Sequence, residues 1–197
     1  MDHPLIADVN WLQQARDGDP EAFEAVVEAY QVPVYNLCYR MLSDRNLAED
    51  AAQETFLRAY RKLDRYDERR SPRTWILSIA AHHCIDLLRR RRLLGFQPID
   101  DMEIPSSHPS PEATLIRRES EAEIAQLLEG LAPEERAVIT LRYWYDLSIE
   151  EIGEAVGMSS SAVRTRLYRA RRALADRMQA GEHSPSRRGA ANEPQAI

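Results

Sequence analysis

Between Ser160 and Arg172, side chains that can bond phosphates or base edges recur at helical spacing: Arg164, Thr165, Tyr168, Arg169 and Arg172, with Ser160 at the start. Arginines at the front of such a run can pair with guanine, and later ones can reach phosphates. That is nucleic-acid chemistry, and it requires a rigid element to present the groups together. Residues 147–174 supply one. Ser148 followed by Glu151 forms a capping box. Ile149, Ile152 and Val156 make an apolar stripe on a short helix, and Gly157 suits a tight turn. Ser159 or Ser160 caps a second helix, whose inward positions are Val163, Leu167, Ala170 and Leu174. Helix, glycine turn, helix is the pattern that places a recognition helix in the major groove. A basic helical hairpin of purely structural role would carry part of this pattern, but not all of it.

A second set lies upstream. Arg65, Tyr66, Arg69, Arg70 and Ser71 form a polar loop, joined at Pro72 to a helix that carries Arg73, Trp75 and His82 and ends in the Arg89–Arg92 run. A loop joined to a basic helix can hold an unstacked base and the adjoining phosphates. Trp75 either stacks on such a base or, flanked by Ile and Leu, belongs to the core. The helix before it, read from Arg45 to Leu63 at 100° per residue, points Ala48, Ala52, Thr55, Phe56, Ala59 and Leu63 inward. Its other face holds Asp50, Gln53, Glu54, Leu57 and Arg61. Acids around an exposed Leu suit a protein interface; a solvated face is the plain alternative.

Other chemistries are poorly supported. His82-His83-Cys84 resembles a metal set, yet adjacent helical positions diverge by about 100° and do not converge on one ion. Two cysteines, Cys38 and Cys84, are too few for a disulfide scaffold or a four-Cys zinc site. There is no glycine-rich phosphate loop, no paired-carboxylate site and no credible nucleophile–base pair. No catalytic residue, metal or cofactor is therefore expected.

The elements that must hold these sets read as helix almost throughout. Asp19-Pro20-Glu21 is a helix start, with an N-cap, Pro at the first helical position and an acid in the first turn. Phe23, Val26, Val27, Tyr30, Val34, Leu37 and Met41 follow at spacings of three and four, and Pro33 is expected to bend or divide that helix. Ser43 or Asp44 caps the next. Residues 95–113, rich in Pro, Ser and acids, read as a linker, and residues 181–197 as a disordered tail. The fold class expected is all-α: two small helical domains, 1–94 and 114–180, joined by that linker. No apolar run approaches the ~20 residues of a membrane span, and no secretory signal pattern opens the sequence, so a cytoplasmic protein that does not enter membranes is expected.

Charge sharpens the division. The 197 residues carry a net −6, with 25 Arg and a single Lys, Lys62. Residues 1–64 sum to −6, 65–94 to +5, 95–135 to −8 and 136–180 to +3. The two basic blocks coincide with the two candidate nucleic-acid sets.

Together these segments resemble the sigma-70 family, in particular the small two-domain sigma factors of the extracytoplasmic-function group. The resemblance rests on Asp19-Pro-Glu-Ala-Phe, Ala48-Glu-Asp-Ala-Ala-Gln-Glu-Thr-Phe-Leu-Arg-Ala-Tyr, Arg73-Thr-Trp-Ile-Leu, Cys84-Ile-Asp-Leu-Leu-Arg-Arg, Leu131-Ala-Pro-Glu-Glu-Arg-Ala-Val and the helix-turn-helix ending Arg164-Thr-Arg-Leu-Tyr-Arg-Ala-Arg-Arg. It covers about residues 10–94 and 114–178. It implies a subunit that binds core RNA polymerase, including its β subunit, and directs it to promoter DNA, with an anti-sigma factor as a further partner. Asp50, Gln53, Glu54, Leu57 and Arg61 match the motif that docks on the β′ clamp helices. The loop around Tyr66–Ser71 and the following helix match the part that recognises and melts the −10 element. Arg164, Thr165, Tyr168 and Arg169 match the −35 contacts.

Promoter elements about 25 base pairs apart lie ~85 Å apart. A domain of ~90 residues, with a radius of gyration near ~12 Å, cannot touch both, whereas an extended linker of about 19 residues reaches up to ~65 Å. The resemblance implies that this linker threads the polymerase cleft, where Asp100, Asp101 and Glu103 would mimic nucleic-acid charge or simply be solvated. Small residues or histidines stand at Ser78, Ala81, His82 and His83 where many relatives carry long polar groups, so fewer phosphate contacts and a different −10 preference are expected along this stretch; Pro72 stands where an aromatic ring is common, which removes a possible stacking ring. A helix-turn-helix regulator that never joins polymerase would explain the C-terminal motif but leave the 48–60 motif without a role.

Overall fold

The computed structural model describes residues 5–94, 124–125 and 127–182, with side chains from residue 10 to residue 179. Among these residues there is helix and no strand. Helix α1 spans Leu5–Arg16, α2 Pro20–Leu42, α3 Arg45–Arg61 and α4 Pro72–Leu93. A 3-10 turn at Leu63–Arg65 separates α3 from the loop before α4. After the short helical stretch at 127–129 come α5 Pro133–Trp144, α6 Ile149–Val156 and α7 Ser160–Glu182. The expected linker, 95–113, lies outside the described residues, as do residues 114–123; of the expected tail, 181–197, residues 181 and 182 continue α7 and the rest lies outside the described residues.

Local chemistry sets the boundaries. Asp19 accepts hydrogen bonds from the amides of Glu21 (2.9 Å) and Ala22 (3.4 Å), and Pro20 opens α2 without wasting a donor. The helix runs unbroken through Pro33, so the expected division does not occur. Proline removes one N–H, but Val26, Tyr30, Val34, Leu37, Cys38 and Met41 keep burying a single stripe on both sides of it. Packing outweighs one missing hydrogen bond. Ser43 ends α2 in the left-handed region (φ 54°), and Asp44, not Ser43, caps α3 by accepting from the Leu47 amide at 2.9 Å. Helix α1 was not expected; it is held by Leu12 and Ala15, 1% and 5% exposed.

Helices α1–α4 form one bundle, and α5–α7 form a second, smaller one. The two are packed together. Helix α5 lies in the groove between α2 and α4, antiparallel to both: its start sits by Arg40 and Arg89 and its end by Pro33 and Arg73. Helix α6 packs on α4. In consequence α4 is buried from Thr74 to Ala81 without a break. One contiguous hydrophobic core runs from Leu12 through α4 to Ala170.

Candidate nucleic-acid interface

The helix-turn-helix is built from local interactions. The Ser148 hydroxyl accepts the Glu151 amide at 3.1 Å, and the Glu151 carboxylate accepts the Ser148 amide at 2.8 Å, so the box satisfies two donors that a helix start otherwise leaves open. Gly157 ends α6 at φ 66°, in the left-handed region that glycine tolerates best. Gly153 was missed by sequence reasoning. A Cβ there would meet the Met158 carbonyl at 2.7 Å, because the Met158 amide must approach to bond the Gly153 carbonyl at 2.8 Å. Ser159 caps α7 through the Ala162 amide (3.3 Å), which leaves Ser160 as its first helical residue, half-buried. Val163, Leu167 and Ala170 are buried beneath it.

The opposite face of α7 is open. Arg164, Thr165, Tyr168, Arg169 and Arg172 are all exposed, Tyr168 at 64%. Arg164 lies 3.7 Å from Glu150, both well solvated, and such a pair contributes little and can exchange for a phosphate. Thr165 donates to the Ser161 carbonyl at 3.0 Å.

The upstream set is placed differently. Its loop is tied down: the Tyr66 hydroxyl donates to the Arg70 carbonyl at 2.7 Å, Asp67 accepts the Arg69 amide at 3.0 Å, and Glu68 pairs with Arg16 of α1 at 2.9 Å. Arg65 and Arg69 are exposed. Tyr66 and Trp75 are each only 6% exposed and pack on one another with ring centroids 4.9 Å apart. As folded, these two rings are core and not an open stacking platform. Arg70 and Arg73 face the C-terminal bundle, and His82, although exposed, lies near it. Arg70 Nε lies 3.6 Å from Glu154 of α6, and among the described residues neither its Nε nor its Nη2 finds a hydrogen-bond acceptor. The Arg73 guanidinium sits 5.7 Å from the Tyr145 ring centre. Ser71 is half-buried, and its carbonyl accepts the Trp75 amide. His82 Nδ1 bonds the Ser78 carbonyl at 2.8 Å, and its Nε2 would stand 3.8 Å from a Cβ at Gly157.

On α3, Ala48, Ala52, Thr55 and Ala59 are buried, with Leu63 just beyond, while Phe56 is half-buried. Asp50, Gln53, Leu57 and Arg61 are exposed, Leu57 at 52%. Glu54 is held below its ordinary pKa by the hydrogen bond from Arg58 (2.7 Å). His83 is lowered by burial and by the neighbouring Arg58. Cys84 is raised by its hydrogen bond with Cys38 and by burial, so this thiol is poorly reactive. Among the described residues no three His, Cys, Asp or Glu side chains gather as a metal site would need.

Known proteins decide what this arrangement belongs to. Residues 26–93 match the description Sigma-70 region 2, and residues 121–174 match Sigma-70, region 4. The chain is 35% identical over 172 residues to the ECF RNA polymerase sigma factor SigW of Bacillus subtilis, covering 83% of this chain and 92% of that one. The chain belongs to the sigma-70 family, in its extracytoplasmic-function group. It is an RNA polymerase sigma factor, a transcription initiation factor. It is also 31% identical to the SigX sigma factor of B. subtilis over 81% of this chain and 84% of that one. The solved structure of CnrH in complex with the cytosolic domain of CnrY matches with a TM-score of 0.68 at 27% identity, over 88% of this chain and 98% of that one. The sigma factor RpoE of Bartonella quintana, solved with the anti-sigma factor NepR, shares the fold at a TM-score of 0.63 and 19% identity. No helix among the described residues is long and apolar enough to cross a membrane.

Proposed function

We propose that this sigma factor divides its work along the chain as 1–94, 95–113, 114–180 and 181–197: polymerase docking with −10 recognition, linker, −35 recognition, and tail. Asp50, Gln53, Glu54, Leu57 and Arg61 dock on the β′ clamp helices. Arg65, Arg69, Arg70 and Arg73, with Ser71 and His82, meet the −10 element. Ser160, Arg164, Thr165, Tyr168, Arg169 and Arg172 read the −35 element in the major groove. The protein performs no covalent chemistry, and DNA opening draws on binding energy. It acts in the cytoplasm, with an anti-sigma factor as a further partner; in the matched structures the cytosolic domain of CnrY is bound to CnrH, and the anti-sigma factor NepR to RpoE.

The observation that supports this reading best is the pair of outward faces on two helices whose apolar stripes are buried. Helix α3 presents Leu57 among Asp50, Gln53 and Arg61, and α7 presents a basic, hydrogen-bonding strip. A single exposed Leu is ordinary; what supports a partner is that Leu57 shares its outward face with Asp50, Gln53 and Arg61, the set that matches the docking motif. The test is reconstitution with core polymerase. The wild-type chain co-elutes and yields promoter-dependent transcripts, and Asp50→Ala with Leu57→Ala lowers core affinity by about tenfold or more. Unchanged affinity in that double variant would contradict the docking assignment.

A further inference from the structure

Helix α1 lies ahead of the residues that match Sigma-70 region 2, which begin at 26. It packs on α2, on α4 and on the 3-10 turn Leu63–Arg65, burying Leu12 and Ala15, with Trp11 half-buried beside them. Its end stands beside the loop that leads into α4. Arg16, in the last turn of α1, reaches that loop and pairs with Glu68, Nη2 to Oε1 at 2.9 Å. A cation there also suits the negative end of the helix. The two side chains remain 34% and 44% exposed, so the pair contributes little to stability. What it fixes is the place of a carboxylate.

That place matters because of the charges around it. Residues 65–71 hold three arginines, Arg65, Arg69 and Arg70, and two acids, Asp67 and Glu68. Asp67 accepts the Arg69 amide at 3.0 Å, and Glu68 is held by Arg16, so both acids are engaged within the protein. Arg65 and Arg69 stay exposed. Nucleic acid binds such a loop through its phosphates, each of which needs a cation and repels a carboxylate. A Glu68 side chain released from Arg16 is three positions from Arg65 and one from Arg69, where it would compete with phosphates for both. On the −10 assignment above, we propose that α1 braces the −10 loop and that Arg16 is a positioning residue: it holds the Glu68 carboxylate against α1, so that Arg65 and Arg69 meet the phosphates of the −10 strand without a competing acid.

The experiment measures promoter opening by the reconstituted holoenzyme, read from the fluorescence of 2-aminopurine placed in the −10 element of a promoter that the wild type transcribes. Arg16→Ala lowers the opening rate about fivefold, with core affinity unchanged. Arg16→Lys, which keeps the charge, stays within about twofold of the wild type. The deciding variant combines Arg16→Ala with Glu68→Gln. Removing the freed acid restores opening to within about twofold of the wild type, which neither a lost brace nor a folding defect would give. Glu68→Gln alone opens the promoter as fast as the wild type. A double variant as slow as Arg16→Ala would overturn the proposal, and so would an unchanged rate in Arg16→Ala. Arg65→Ala with Arg69→Ala separates this from the −10 assignment. If that variant slows opening while Arg16→Ala does not, the proposal fails and the assignment stands. If it has no effect, the assignment of the loop falls and the proposal with it.

Discussion

Helices α4 and α7 are both assigned to DNA, and both follow a well-capped or proline-marked start, yet they lie in opposite surroundings. Helix α7 buries one stripe and bares the other, so the residues that could touch bases are ready as they stand. Helix α4 is packed from both sides, by α1–α3 and by α5 and α6, and is buried from Thr74 to Ala81; Arg70 and Arg73 beside it are drawn to the other bundle, while His82 stays exposed. The difference shows that a DNA-reading surface can be present in the fold without being available. On the proposed assignment, the −35 face of α7 is open in this fold, whereas the part of α4 proposed for the −10 element is packed against the other domain.

The comparison is most sharply tested at Trp75. As a core ring packed on Tyr66, its loss in Trp75→Ala costs about 3–5 kcal/mol, read as a lowered denaturant midpoint. If Trp75 were a stacking platform, stability would hold and only promoter opening would suffer. At the open reader, Arg169→Ala weakens promoter binding of the holoenzyme by about 1–3 kcal/mol while core affinity and thermal stability stay as they were. A loss of stability there would mean that α7 is less free than its exposure shows.

The smallest expected effect concerns the contact between the two bundles. Burial alone would raise the pKa of Glu134, but its own backbone hydrogen bond, Arg89 and Arg166 outweigh this and leave it below the ordinary 4.5. A carboxylate depressed in the folded state contributes stability that is present above the unfolded pKa and lost as pH falls through the folded value. Melting temperature in the wild type therefore drops more steeply below pH ~4.5 than in Glu134→Gln. Parallel curves would remove Glu134 from the account.

What was legible in the sequence was what neighbours in the chain decide. The Ser148–Glu151 box, the Asp19-Pro20 start and the inward stripe of Val163, Leu167 and Ala170 each depend on residues three or four apart. The outward faces of α3 and α7 follow from the same periodicity. The state of α4 was not legible. Its apolar residues suggest one stripe, and only a second layer from residues some fifty positions downstream explains why Ser78 and Ala81 are buried as well. The burial of Arg136 was not legible either, because no local pattern announces a charge whose partners are Arg40 and Ser43. Gly153 looks like an ordinary helical glycine until the Met158 carbonyl is placed against it. Pro33 was read by its local cost, and burial of the surrounding stripe outweighed that cost.

Thiol modification compares the two readers directly. Ser78→Cys on α4 and Thr165→Cys on α7 are made separately in the full chain, where Cys38 and Cys84 are 0% exposed. In the free protein Thr165→Cys reacts with a maleimide at the rate of a solvated thiol, and Ser78→Cys reacts at least about a hundredfold more slowly, its opening costing a few kcal/mol. Equal rates at the two sites in the free chain would contradict the account.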